Sequence, residues 1–417
     1  MYNRPMRRSR LHYGWVVAAA GAMTVFSCLG LARFAYGMLL PLMGKALALR
    51  YDEMGFIGTG NFAGYLAAVG MAPFFMKRWG GRRTVTLGLA LVAASMILIG
   101  SGNGFAPILC LYFLTGVGSG LSNVPMMVLV SHWFAREMRG RAAGLVLVGN
   151  GVAIIFAGFL IPALGGAFGS GGWRAGWRIL GALSAAVAAA AWGLLRDSPA
   201  EMGLAPIGPG TAGAPTSPPA AEHPPAGTGT VVHLGILYLI FGLTYMIYGT
   251  FIVTTIVVER GMPVAAAGRF WSWVGLIGIF SGPLFGVLSD RIGRKGGFMA
   301  VFAVQTACYA LAGLGLGNWS IDLSIVLYGM SAWAIPTIMT AAVGDYMGTA
   351  KAATAFSVIT FFFGAGQALG PAIAGLLAKH SGSFSGSYLL AAAATGAGIL
   401  AAALLRRPGE AAGRAAR

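Results

Sequence analysis

Apolar runs of about 20 residues follow one another along almost the whole chain, broken by short clusters of charge, glycine, proline or asparagine. A helix of about 20 apolar residues, rising roughly 1.5 Å per residue, spans the hydrocarbon of a bilayer. The pattern therefore predicts membrane-spanning helices over 14–43, 54–76, 84–102, 106–131, 142–165, 177–195, 233–258, 266–288, 297–316, 322–344, 353–378 and 386–405. Only Asn103, Gly104 and Phe105 separate the third span from the fourth, so those two are expected to be antiparallel neighbours. Asp52 and Glu53 read as a short loop before the second span.

One stretch breaks the rhythm. Residues 197–232 carry Pro215, Pro218, Pro219, Pro224 and Pro225 among alanine, glycine and threonine, a composition that cannot bury enough to order itself. It predicts a flexible linker between an N-terminal half, 1–196, and a C-terminal half, 233–417. The halves also repeat: Pro125 and Pro336 each precede the next span by the same interval, ending at Gly144 and Ala355, and Pro162 and Pro371 then fall at nearly matching offsets. The expected fold is an all-α membrane protein of about twelve transmembrane helices in two pseudo-symmetric six-helix halves. The first apolar run, from Trp15 to about Met43, is longer than the apolar core of a signal peptide and reads as an uncleaved helix.

Composition removes the rivals. Hydrophobic residues make up 57% of the chain and charged residues 9%, far from the roughly 25% charge of a soluble domain. The net charge of +17 does not indicate nucleic acid, because the basic residues punctuate apolar runs instead of forming one solvated face. They do set the topology: alternate connecting segments hold about 20 and about 7 of them, which predicts that both termini are cytoplasmic; the expected location is a bacterial inner membrane. Cys28, Cys110 and Cys308 lie far apart in apolar runs and read as small buried hydrophobes, with no metal or disulfide spacing.

One charge stands inside a span. Arg33, in Leu31-Ala-Arg33-Phe34-Ala-Tyr36-Gly37, carries a cost of about 2.5–3.5 kcal/mol at mid-helix and such residues usually face a cavity. Eighteen residues beyond Trp15 is about 27 Å of helix, in the outer half of a bilayer, so snorkelling to the outer interface is the competing reading.

The loop Gly286-Val-Leu-Ser-Asp290-Arg291-Ile-Gly293-Arg294-Lys295 resembles the signature of the major facilitator superfamily, G-x-L-x-D-R-x-G-R followed by Arg or Lys, at every fixed position. Acid and base side by side at a helix end suit a breakable latch, which makes Asp290, Arg291, Arg294 and Lys295 gating candidates. The corresponding first-half loop, Met76-Lys77-Arg78-Trp79-Gly80-Gly81-Arg82-Arg83, keeps the glycines and bases without an aspartate and adds Arg82 and Arg83. Pro162-Ala-Leu-Gly165-Gly166 and Gly366-Gln367-Ala-Leu-Gly370-Pro371 resemble the family's fifth- and eleventh-helix motifs. His12-Tyr13-Gly14-Trp15, Gly116-x-Gly118-x-Gly120 with Trp133-Phe134, and Arg196-Asp197-Ser198-Pro199 are similar to the monocarboxylate and oxalate–formate branch, although the eighth span lacks the arginine common there.

The resemblance implies a central cavity lined by the first, fourth, seventh and tenth helices. On those helices the candidate substrate-binding residues are Arg33, Tyr36, Tyr112, Thr115, Ser119, Asn123, Tyr245, Tyr248, Tyr328 and Ser331. All acids fall at helix ends or in loops, and Glu259 is the least implausible proton site. No ATP-binding loop, cofactor motif or metal cluster is present in the sequence, so the expected partners are a small-molecule substrate and the bilayer, with a monomeric protein. The expected function is secondary transport of a small organic solute, an organic anion such as a monocarboxylate, driven by a proton or an exchanged solute. The alternatives are an exporter of amphipathic compounds or drugs and a non-transporting ligand sensor; an enzyme on lipid-linked substrates is disfavoured.

Overall fold

The computed structural model describes residues 12–208 and 227–406, the side chains at 136, 349, 350 and 353 aside. Almost all of it is helical. α1 (Tyr13–Val25) passes through a π-helical stretch, Phe26–Phe34, into α2 (Ala35–Leu47), making one continuous helical segment. Then come α3 (Tyr51–Trp79), α4 (Gly81–Ile99), α5 (Phe105–Trp133), α6 (Arg136–Phe168) and α7 (Gly172–Leu194). After residue 226 follow α8 (Thr228–Thr254) with a π-helical end at Thr255–Glu259, α9 (Val264–Gly313), α10 (Asn318–Ser331), α11 (Ala334–Ser381) and α12 (Ser385–Ala403). Among the described residues, nine helical segments are long and apolar enough to cross a membrane.

α9 and α11 are each two helices meeting at a glycine. Gly293 has φ 82° and ψ 158°, and Gly348 has φ 65° and ψ 170°, where a Cβ would be strained. The backbone repeats itself at such points. Gly80, between α3 and α4, has φ 82° and ψ 167°, matching Gly293; Gly104, before α5, has φ 84° and ψ 175°, close to Gly317 before α10 at φ 112° and ψ −178°. Gly80 and Gly104 are as far apart in sequence as Gly293 and Gly317.

The surface is apolar where a water-soluble protein would be polar. Phe74, Phe159, Phe280 and Phe361 are each more than 60% exposed, which lipid tolerates and water does not. The interior is drawn tight by small residues: a Cβ on Gly116 would stand 1.9 Å from the Asn61 carbonyl oxygen, so only glycine lets α5 lie so close to α3. The first seven helices meet the last five chiefly where α3 runs along α11, α6 along α9 and α2 against α8.

Several expectations need correction. Asp52 and Glu53 are not in a loop but in the first turn of α3, where acids complement the helix dipole and Glu53 accepts the Arg50 backbone N–H. Cys110 is exposed on α5, while Cys28 and Cys308 are buried; an outward-facing thiol is apolar enough for a lipid-covered face. The linker is structured at both ends. Pro199–Met202 forms a 3₁₀ turn, the Ile207 N–H donates to the Trp133 carbonyl at 2.9 Å, and the Ala135 N–H donates to the Ile207 carbonyl at 2.8 Å. Residues 228–232 belong to α8. The linker prolines in 209–226, and the topology-setting Arg4, Arg7, Arg8, Arg10, Arg407, Arg414 and Arg417, lie outside the described residues.

Candidate functional site

Arg33 sits in the π-helical stretch between α1 and α2, a form that often marks functional positions because the extra residue redirects the side chains around it. Its guanidinium carbon lies 4.6 Å from the Phe62 ring centroid and 4.7 Å from that of Tyr65, both on α3. The side chain is thus held against protein rings, in cation–π contact. Its Nε and Nη2 atoms are buried and have no hydrogen-bond partner among the described residues. Unpaired buried donors of this kind are costly, and they form the side-on fork that a carboxylate matches.

Tyr65 and Asn123 extend the site. The Asn123 amide donates to the Tyr65 hydroxyl at 2.9 Å, and its Oδ1 is buried without a partner among the described residues. Arg33, Tyr65 and Asn123 are each only half-buried, on three different helices. On the other side of the same turn, Phe34 meets rings from the second part of the chain: Tyr245 at 6.1 Å, Trp333 at 6.4 Å and Trp271 at 6.5 Å between centroids. Tyr245 stacks on Tyr328 at 5.8 Å, and Tyr328 on Tyr248 at 4.4 Å.

Seven of the candidate hydroxyls, all but that of Tyr245, have partners within the protein. Tyr36 donates to the Met54 carbonyl at 2.7 Å and packs on Tyr112 at 4.8 Å; Tyr112 reaches the Arg33 carbonyl at 3.4 Å. The Tyr328 hydroxyl donates to the Tyr245 carbonyl at 3.1 Å, and Tyr248 pairs with Ser324 at 2.8 Å. Thr115 faces α4, sharing a 2.8 Å bond with Ser95. Ser119 and Ser331 bond back to their own helices, donating to the Thr115 and Leu327 carbonyls respectively.

The signature loops hold charges, though not in the same way. Arg294 binds both Asp290 and, at 2.6 Å, Asp345 of α11. The two carboxylates raise its pKa despite the opposing effect of its partial burial. Arg291 is exposed and Lys295 half-buried; Lys295 lines an open hollow of about 580 Å³ together with Asp290, Arg294 and Asp345. In the first loop the carboxylate comes from beyond α7. Asp197 accepts the Arg82 backbone N–H at 2.6 Å, while the Arg82 guanidinium lies over Trp192 and bonds its carbonyl. Arg83 is exposed. Glu259 binds the start of α12, accepting the Phe384 N–H at 2.8 Å and the Ser383 hydroxyl at 3.0 Å.

A further ion pair escapes the sequence reading. Asp52 is buried on α3, and its carboxylate takes Lys379 of α11 at 3.0 Å and Arg50 at 3.2 Å. Burial works to raise its pKa, but the hydrogen bond from Lys379 and the charges of Arg50 and Lys379 prevail and hold the carboxyl below the usual range. Nearby on α3, the Thr59 hydroxyl donates to the Ala368 carbonyl at 2.6 Å. Phe62, Tyr65, Trp271, Asp197, Asp345 and this pair are not evident from the sequence, because each acquires its role from a partner distant along the chain.

Comparison with known proteins agrees with this architecture. The sequence model of the Major Facilitator Superfamily matches residues 22–371. Monocarboxylate transporter 11 of Homo sapiens is 26% identical over 91% of this chain and 80% of its own length. The hexuronate transporter of Bacillus subtilis is 22% identical over 87% of each chain. Among solved structures, the nucleoside transporter NupG superposes with a TM-score of 0.74 at 12% identity, over 95% of this chain and 99% of its own.

Proposed function

The chain belongs to the Major Facilitator Superfamily, and from that premise we propose that it moves a small organic anion, such as a monocarboxylate, by alternating access. It is a multi-pass membrane transporter of a small organic solute, not an enzyme. The observation that carries the anionic reading is Arg33, a cation in an apolar span whose Nε and Nη2 are buried without partners among the described residues. The names of two relatives, a monocarboxylate and a hexuronate transporter, also speak of carboxylic acids.

The proposed architecture is about twelve crossings in halves 1–196 and 233–417, joined by 197–232, with α1 and α2 counted as one, α9 as two, and α10 together with the part of α11 before Gly348 as one. The matching glycine geometries at Gly80 and Gly293, and at Gly104 and Gly317, support it. The distribution of basic residues supports a cytoplasmic position for both termini, and we take the membrane to be a bacterial inner membrane and the protein to act as a monomer. On this assignment Asp52 and Lys379 close the outer side, where α3 meets α11. Asp290, Arg291, Arg294 and Lys295, with Arg82 and Arg83, form the inner gating loops. A proton or an exchanged solute supplies the gradient; a proton on Glu259 would loosen the first turn of α12.

The test is counterflow of a labelled monocarboxylate in proteoliposomes. Arg33→Gln should abolish it, and Arg33→Lys should keep the charge but weaken binding, because lysine lacks the planar fork. Wild-type counterflow by Arg33→Gln would overturn the anionic reading.

A further inference from the structure

The surroundings of Arg33 narrow the solute further, and this step rests on the anionic reading above. We infer that the solute is an aromatic monocarboxylate, whose single carboxylate takes the side-on fork of Arg33 and whose flat ring lies among the aromatic side chains around it.

The charge count sets the first limit. Arg33 is the one charged residue between Trp15 and Lys45, and the spans 54–76, 106–131 and 234–258 carry no Asp, Glu, Lys or Arg. One buried cation matches one carboxylate. A second anionic group would enter without a partner, and an ammonium would find no acid; both are costly in a low dielectric. Dicarboxylates and zwitterionic amino acids are thereby disfavoured.

The hydroxyls set the second. A sugar acid needs several hydrogen bonds from the site, yet Tyr36, Tyr248, Tyr328, Thr115, Ser119 and Ser331 all have protein partners, which leaves few groups for its hydroxyls, Asn123 Oδ1 and Trp271 Nε1 among them. What lies close to the cation instead is aromatic. Phe62 and Tyr65 cover the guanidinium at 4.6 and 4.7 Å, leaving its Nε and Nη2 edge unpaired among the described residues. Phe34, the next residue, brings in Tyr245, Trp271 and Trp333. Rings in these positions favour a flat partner through offset or edge-to-face contact, whereas a short aliphatic acid would leave them unfilled.

The experiment compares phenylacetate, lactate, glucuronate and succinate as competitors of counterflow in proteoliposomes, and as ligands in thermal shift of the purified protein. Phenylacetate should compete about tenfold more strongly than lactate, the scale of one or two well-placed aromatic contacts. Tyr65→Phe should keep that preference, and Tyr65→Leu should weaken phenylacetate competition more than lactate competition, so that the ratio between the two acids falls. If lactate or glucuronate competes as well as phenylacetate, or if Tyr65→Leu leaves the preference intact, the aromatic inference is overturned while the anionic reading stands. If none of the four acids competes or shifts the melting temperature, the anionic reading falls and this inference with it.

Discussion

Lys379 Nζ lies 3.0 Å from Asp52 Oδ2, joining residues 327 positions apart in the chain. The pair spans the contact between α3 and α11, where Gly55 and Gly375 bring the two backbones together. An ion pair across such a seam is a natural clasp, because separating the helices exposes both charges to water and little is lost in doing so. Asp52 is nearly buried while Lys379 is 41% exposed at its side chain, so the clasp contributes about 1 kcal/mol, less than a fully buried pair.

That clasp should depend on pH. The folded-state pKa of Asp52 lies below its usual value, so its stabilisation is present above the usual carboxylate pKa and is lost as pH falls through the lowered value. Thermal melting of wild type and Asp52→Asn should differ by most near neutral pH, and the difference should shrink as the solution is acidified. A difference that stays constant down to about pH 3, below the ordinary carboxylate range, would remove Asp52 from this role.

The signature loop around Gly293 should respond to loss of its acids without unfolding. Arg294 is shared between Asp290 and Asp345, so Asp290→Asn leaves one partner in place. Uptake at matched expression should fall about fivefold or more for Asp290→Asn, since a gate's coupling energy is of that order. Arg294→Ala, which releases both carboxylates, should be slower still. Wild-type uptake by both variants would show that the loop is a topological anchor only.

Between α7 and α8, sequence identity should matter at one end of the connection and not in its middle. Replacing 209–226 by a Gly/Ser segment of equal length should preserve uptake, since a Gly/Ser chain of that length keeps the reach between Gly208 and Gly227. Ile207→Asp should instead lower the melting temperature, costing roughly 1–3 kcal/mol. Ile207 is paired to Trp133 and Ala135 through its backbone, and its side chain packs beside Gly14. Loss of uptake in the Gly/Ser variant with normal expression would give the middle of the linker a specific role.

These particulars show what the sequence could and could not reveal. Span length and hydropathy are legible because lipid demands a fixed run of apolar residues. Arg33 is legible as a charge inside such a run. The π-helical stretch around it is not, because Phe26–Phe34 has a composition equally suited to an α-helix, and the choice is made by packing. Phe62 and Tyr65 are hidden for a related reason: which face of α3 meets Arg33 depends on how the helix is rotated in the assembly. Asp52 is misplaced because Arg50, Asp52 and Glu53 together look like a polar break, whereas acids in a first turn begin a helix. Asp197, 115 positions from Arg82, can be matched to it only in three dimensions.

The two signature-loop glycines offer the sharpest comparison. Gly80 and Gly293 share φ 82°, in a region that is essentially closed to other residues once ψ nears about 160°. Alanine at either position should therefore cost about 1–3 kcal/mol in backbone strain. At Gly293 nothing lies within 4 Å of the added Cβ, so strain is the whole effect; at Gly80 the Cβ would also stand 2.5 Å from Asp197 Oδ2. Gly80→Ala should thus be the more damaging of the two, as measured by melting temperature and by the folded fraction in size-exclusion chromatography. Asp197→Ala removes the obstructing Oδ2 and, with it, the Oδ1 that accepts the Arg82 N–H. The double variant Gly80→Ala with Asp197→Ala should consequently be less destabilised than the two single effects added together, the mark of residues in contact. Strict additivity, or equal melting temperatures for Gly80→Ala and Gly293→Ala, would mean that Asp197 does not shape the first loop.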